Sequence, residues 1–155
     1  MRVYLAASLF TQIGRKWNRM LAETLTGVVP DLEVILPQDF KPAGKYNDDK
    51  HYGTLFRMGV NGIDRSDAVL AIVDGVEVDS GTAWEMGYSY AKKKPVIGLR
   101  TDFRPGAEHG LNIMLSRSCR HLVRDYSFQE DVTLLAKDVA RKLAKIRVKK
   151  SEDNS

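Results

Sequence analysis

Apolar and polar positions along this chain follow two different periods. RVYLAA, LEVILP, AVLAIVDG, PVIGLRTD and RHLVRDY are short apolar-rich runs that read as strands buried on both faces. Between them the apolar residues recur every three or four positions. FTQIGRKWNRMLAETLTG lines up Ile13, Trp17, Met20, Leu21 and Leu25 on one helical face, with Gly27 beyond its end. TLFRMGVNGIDRS predicts a second helix, weakened at Gly59 and Gly62, and SGTAWEMGYSYAKKK a third. LNIMLSRSC predicts a short helix after a Pro- and Gly-rich loop, and EDVTLLAKDVARKLAKIRVKK the closing one. QDFKPAGKYNDDKHYG has no periodicity and reads as a long loop, a kind of segment that often carries function in compact domains.

Apolar strands alternating with helices predict an α/β protein with an open parallel sheet of about five strands, flavodoxin-like or Rossmann-like, and helices on both faces. Ligands of such sheets sit outside the carboxyl ends of the strands, where strand order reverses. The loops after RVYLAA, LEVILP and AVLAIVDG are therefore expected to build the site. A length of 155 residues fits one domain with a single core. That domain is expected to span 1–148, with a disordered tail over 149–155.

Several function classes drop out. The opening MRVYLAASLF has the charge and apolar run of a short signal peptide, but the run stops at Thr11-Gln12 with no cleavage-type pair of small residues beyond, so it reads as a strand. No stretch approaches the roughly 20 apolar residues of a membrane span. The single cysteine, Cys119, cannot form an internal disulfide and reads as apolar filler. No Cys/His cluster has metal-ligand spacing, so a cytoplasmic protein without metal or cofactor is expected. The formal net charge of +4 sits mostly in the last helix, where lysine and arginine complement the dipole and solvate an outer face. Neither a nucleic-acid partner nor a membrane surface is expected. AASLF stands where a glycine-rich dinucleotide loop would, and there is no P-loop. Ser8 and Ser118 lack a nucleophile elbow, and His51, His109 and His121 are scattered.

What remains is carboxylate chemistry on a small polar ligand, centred on VDSGTAWEMGY. Gly81 permits a tight turn, and Asp79 or Ser80 can cap a helix beginning near Thr82. Glu85 then lies about one turn inside, among Ala83, Trp84, Met86 and Gly87, where a partly apolar setting makes a charge costly. Read without further context, Asn112 is a helix cap, Met114 a core residue and Tyr4 a strand tyrosine at the core edge.

Tyr4 in the first strand, D-S-G-T-A-W-E-M-G from Asp79 to Gly87, and N-I-M from Asn112 to Met114 together resemble the nucleoside 2-deoxyribosyltransferases. The resemblance runs from Met1 to about Tyr126, and its D-x-G-T-A-x-E-x-G piece is the specific part. It implies that Glu85 is a nucleophile attacking the anomeric carbon of a 2′-deoxyribonucleoside, and that a second base then displaces the covalent deoxyribosyl-enzyme with overall retention. It further implies that Tyr4 orients Glu85 and that Asp79 contacts sugar hydroxyls, chiefly the 5′ one. Asn112 would reach that hydroxyl from a neighbouring subunit, with Met114 close to the nucleophile, in a dimer or hexamer with shared sites. A carboxylate near a helix amino end is expected to stay ionised at neutral pH, ready to stabilise an oxocarbenium-like transition state and to capture it.

One position departs from the family pattern. Where many members carry an aspartate that protonates or orients the base, this chain has Gly59. Asp39 or Asp48 in the long loop, or water and backbone, would have to take over. The alternatives kept open are hydrolysis of a nucleoside or a nucleoside 5′-monophosphate, and a non-catalytic nucleotide-binding domain. A 5′-phosphate would be repelled by Asp79.

Overall fold

The computed structural model describes residues 1–42, 45–46, 48–104 and 110–152, with side chains described as far as Val148. Five parallel strands, β1 (Arg2–Ala6), β2 (Glu33–Ile35), β3 (Ala68–Ile72), β4 (Val96–Arg100) and β5 (His121–Arg124), form one sheet in the order β2-β1-β3-β4-β5. The connecting helices are α1 (Gln12–Val28), α2 (Asp49–Arg65), α3 (Ser80–Ala91), α4 (Ile113–Ser118) and α5 (Thr133–Glu152), with a 3-10 turn at Pro37–Asp39. Of the two predicted arrangements, this order is the flavodoxin-like one, whose switch point lies between β1 and β3.

Strand residues alternate between two cores, as the two-residue strand period requires. Val3, Leu5, Leu70, Ile97, Leu99 and Val123 face Leu21 and Leu25 of α1 and Val139 and Leu143 of α5. Tyr4, Ala6, Val69, Ala71 and Val96 face Ile63 of α2 and Met86 of α3. Because both faces are covered, the strand sequences show little alternation in polarity. Cys119 packs its sulfur where a Cβ on Gly98 would lie 2.8 Å away, and burial pushes its thiol up to about 11, which suits packing and not nucleophilic work.

Three expectations change. The buried stripe of α1 is Asn18, Leu21, Ala22 and Leu25, while Ile13 is 83% exposed and Met20 also faces out. A polar residue had masked the true register of that stripe. Helix α2 begins at Asp49, so DKHYG is helical and not loop; Asp48 caps it by accepting from the Lys50 N–H at 3.3 Å, and Asp49 complements the dipole. Finally, α5 continues to Glu152, past the boundary predicted at 148; residues 153–155 lie outside the described residues.

Candidate active site

The loops leaving the carboxyl ends of β1 and β2 meet helices α2 and α3 around a cavity of about 510 Å³, to which the loop after β3 contributes no lining residue. Tyr4, Leu9 and Phe10 come from β1 and its loop, and Pro37 and Phe40 flank the turn after β2. Helix α2 contributes Leu55, Phe56, Gly59 and Val60, and α3 contributes Gly81, Trp84 and Glu85. The site therefore forms where the strand pattern predicts it, at the switch point.

Tyr4 has no exposed surface, and its hydroxyl donates to Glu85 Oε1 at 2.5 Å. Gly62 makes room for it. A Cβ on Gly62 would lie 2.9 Å from Tyr4 Cε2, and one on Gly59 3.5 Å from the Tyr4 hydroxyl. The weak spot of α2 at Gly62 is thus the place where that helix crosses the tyrosine ring, whereas a Cβ at Gly59 would make an ordinary contact. Without Gly62, α2 could not settle onto the sheet at this distance.

Glu85 is half-buried, and its carboxyl is pushed up to about 7. Burial is the main cause; the negative charge of Asp79 adds to it, and the hydrogen bond from Tyr4 opposes both. This corrects the expectation of a fully ionised carboxylate, because desolvation outweighs the favourable helix end. At neutral pH both protonation states are populated. Burial, together with the charge of Glu85, raises the Tyr4 phenol well above its ordinary range, so it stays a donor.

Asp79 is the cap of α3, its Oδ2 accepting from the Thr82 N–H at 3.0 Å and the Thr82 hydroxyl at 3.1 Å. Gly81 lies inside the first turn of α3, not in a turn before it; a Cβ there would sit 3.2 Å from Asp79 Oδ2. Its bareness keeps both the cavity and the Asp79 carboxylate clear. Upstream, Asp74 accepts from the N–H groups of Thr101 (2.5 Å) and Asp102 (3.0 Å). Buried Arg100 donates to the carbonyl oxygens of Val73 and Gly75, where φ is +105°. These bonds fix the loop that delivers Asp79.

A second set of positioning residues lies outside the motifs of the sequence. Asn18 Nδ2 donates to Ser8 O at 3.1 Å and Gln38 Oε1 at 3.4 Å, and Gln38 Nε2 donates to Arg15 O at 3.0 Å. Arg15 returns a bond to Gln38 O at 3.0 Å. The loops after β1 and β2 are thereby latched to α1. A buried polar residue inside an apolar helical stripe was the available signal.

Other predicted residues fall elsewhere. Asp39 pairs with Arg19 on the surface, outside the cavity lining, and Asp48 caps α2; neither takes the place vacated at Gly59. Asn112 caps α4, accepting from the Met114 N–H at 2.9 Å, so the cap reading holds. Met114 is 76% exposed, not core, because its position on a short helix faces away from the sheet-side packing. Neither residue lines the cavity of this chain. Nor do Ser8, Ser118, His51 or His121, and His109 lies outside the described residues. Among the described residues no group of three or more His, Cys, Asp or Glu could hold a metal ion, and no helix is long and apolar enough to cross a membrane.

Solved structures share this architecture. The 2-deoxyribosyltransferase of Bacillus psychrosaccharolyticus is 25% identical, with a TM-score of 0.68 over 81% of this chain and 87% of that one. The 2-desoxiribosyltransferase of Leishmania mexicana is 23% identical, with a TM-score of 0.60 over 88% and 97%. A CMP N-glycosidase of Clostridium botulinum is 21% identical, with a TM-score of 0.54 over 93% and 98%, which speaks for the fold alone. A search of curated proteins found no match. Residues 3–115 match the family model described as nucleoside 2-deoxyribosyltransferase. That match covers well over half of the sequence, including the Tyr4–Glu85 pair, and the chain belongs to the nucleoside 2-deoxyribosyltransferase family.

Proposed function

We propose that this protein exchanges the base of a 2′-deoxyribonucleoside through a covalent deoxyribosyl-Glu85 intermediate. The observation that carries the reading is a half-buried carboxyl, anchored by a buried tyrosine, on the wall of a cavity otherwise lined by apolar groups. Tyr4 engages Oε1, which leaves Oε2 as the attacking atom. Oε2 bonds to C1′ as the C1′–N bond breaks, and that electron pair leaves on the base, which takes a proton from water. A nitrogen of the incoming base then attacks C1′ from the opposite face, the ester C–O bond breaks, the carboxylate is restored, and the proton lost by the incoming base neutralises the hydroxide left when water protonated the first base. Two inversions give net retention.

Asp79 uses Oδ2 for the helix cap, and its Oδ1 is assigned to the 5′-hydroxyl of the sugar. Free nucleosides are favoured over 5′-monophosphates because Asp79 would repel a phosphate and the described cavity lining contains no lysine or arginine to hold one. Asn112 and Met114 are assigned to the site of an adjoining copy, consistent with their exposure outside the cavity of their own chain.

The test is to incubate the protein with deoxyinosine, with and without adenine, and to weigh the intact protein after mixing with a deoxynucleoside. Deoxyadenosine formation and a deoxyribosyl mass increase, both lost in Glu85→Ala, are expected. Hypoxanthine released equally with and without adenine would replace transfer by hydrolysis. Turnover surviving in Glu85→Ala would overturn the assignment of the nucleophile.

A further inference from the structure

Helices α2 and α3 both line the cavity, and two side-chain links join them. At the cavity itself, Phe56 of α2 meets Trp84 of α3 edge-on, with 5.5 Å between ring centroids. One turn further along α3, the Tyr88 ring stacks on the Trp84 indole at 5.3 Å with 6° between planes. Tyr88 then reaches back to α2. Its hydroxyl donates to the carboxylate of Asp64, near the end of that helix, whose two oxygens lie 3.0 and 3.1 Å away. Lys92 completes the group, its Nζ 3.3 Å from Asp64 Oδ1 and 5.5 Å from the centre of the Tyr88 ring.

Resting on the proposed function of Glu85, we infer that Tyr88 is a positioning residue for this site: pinned by Asp64, it holds the Trp84 indole in the plane in which that ring walls the cavity. Trp84 is 48% exposed, so packing alone holds its ring loosely. A stack of two flat rings resists their separation but not their swinging together. Tyr88 supplies the missing restraint, because its far end is bonded to a charged acceptor on a different helix, and such bonds are stronger than neutral ones. The Asp64–Tyr88–Lys92 group lies outside the cavity lining and near the surface, where ion pairs and their hydrogen bonds add little to stability. Trp84 is the part that carries its effect to a bound nucleoside. Without the phenol oxygen the stacked area survives while the ladder is free to swing. A wandering wall has to be ordered when the substrate binds, and that cost enters KM and not the bond-breaking step at Glu85.

Tyr88→Phe in the full-length protein tests this. KM for deoxyinosine should rise roughly 2- to 10-fold, the scale of ordering one side chain, with kcat nearly unchanged. Asp64→Ala should do the same, and the two substitutions together no more than either alone. In a Trp84→Leu background, Tyr88→Phe should leave KM where it stands, an outcome that general loosening of the fold would not give. A reading independent of turnover comes from Trp17→Phe, which makes Trp84 the sole tryptophan; its fluorescence anisotropy should fall when Tyr88→Phe is added. Unchanged anisotropy, an unmoved KM, or a KM effect that persists without Trp84 would overturn the inference. Base exchange that proceeds with KM unmoved by Tyr88→Phe removes this role and leaves the reaction standing, whereas a fall in anisotropy with no base exchange in any variant sinks the reaction and leaves the pin.

Discussion

Tyr4 on β1 and Glu85 on α3, 81 positions apart in sequence, are joined by a 2.5 Å hydrogen bond from the phenol to Oε1. The bond does two things. It fixes one carboxylate oxygen, and it draws the Glu85 pKa down against the larger effect of burial. Tyr4→Phe keeps the ring under α2 and removes the donor. A hydrogen bond to a charged group is worth about 1.5–3 kcal/mol, so kcat/KM at neutral pH should fall roughly 10- to 100-fold. The acid limb of the pH profile should move to higher pH at the same time. An unshifted limb would reduce Tyr4 to a packing residue.

Protonation of Glu85 also sets a pH dependence of rate and of stability. Reaction through the ionised carboxylate gives a kcat/KM that rises with pH and levels above about 7. Stability runs the other way. Between the ordinary value of 4.5 and the folded value of about 7, the folded protein holds a proton that the unfolded chain has released. Stability therefore falls as pH rises through that window, and the whole penalty is present above it. Glu85→Gln removes the penalty, so its gain in melting temperature should be larger at about pH 8 than at about pH 5. Thermal denaturation of both proteins at the two pH values checks the sign.

Gly62 and Gly27 should respond oppositely to alanine. A Cβ at Gly62 meets the Tyr4 ring at 2.9 Å, and both the ring and the Val3–Ala6 stretch of its strand are buried. Overpacking of that kind costs about 1–3 kcal/mol, so Gly62→Ala should lower unfolding stability and activity together. Gly27, expected beyond the end of α1, lies in its last turn because the helix runs on to Val28, and nothing is within 4 Å of its Cβ position. Gly27→Ala should stabilise the protein by about 0.5–1 kcal/mol and leave kcat/KM unchanged. Urea titrations of the two variants distinguish a packing glycine from a tolerated one.

Asn18→Ala should loosen the latch that holds the loops after β1 and β2. Ser8 O and Gln38 Oε1 lose their shared donor, for an expected cost of about 1–2 kcal/mol in stability. Because those loops bring Leu9, Phe10 and Pro37 to the cavity, KM for the nucleoside should rise more than kcat falls. A variant of lower stability but unchanged KM would limit Asn18 to a structural role.

How legible the molecule was in its sequence depends on the range of the interactions involved. Strands buried on both faces announce themselves as continuous apolar runs, and helices by their three-to-four spacing, so the parallel α/β architecture and the edge carrying the site could be read from local pattern. The Asp79–Gly87 segment could be read as well, because cap, glycine and carboxylate all lie within one turn or two of the same helix. Where a polar residue sat in the buried stripe, as Asn18 does on α1, the local pattern misled.

The linear order of residues by itself determined the class of fold, the family and the segment that carries the carboxylate. Only the tertiary structure decided that Gly62 clears space for Tyr4, that Asp39 is taken up by Arg19, and that few of the described residues around Glu85 bring hydrogen-bonding side chains to the wall. It also decided the protonation of Glu85, since desolvation is summed over neighbours from several elements and no stretch of sequence contains them all. Local pattern reports which face of an element is buried; what that face meets depends on contacts between residues far apart in the chain.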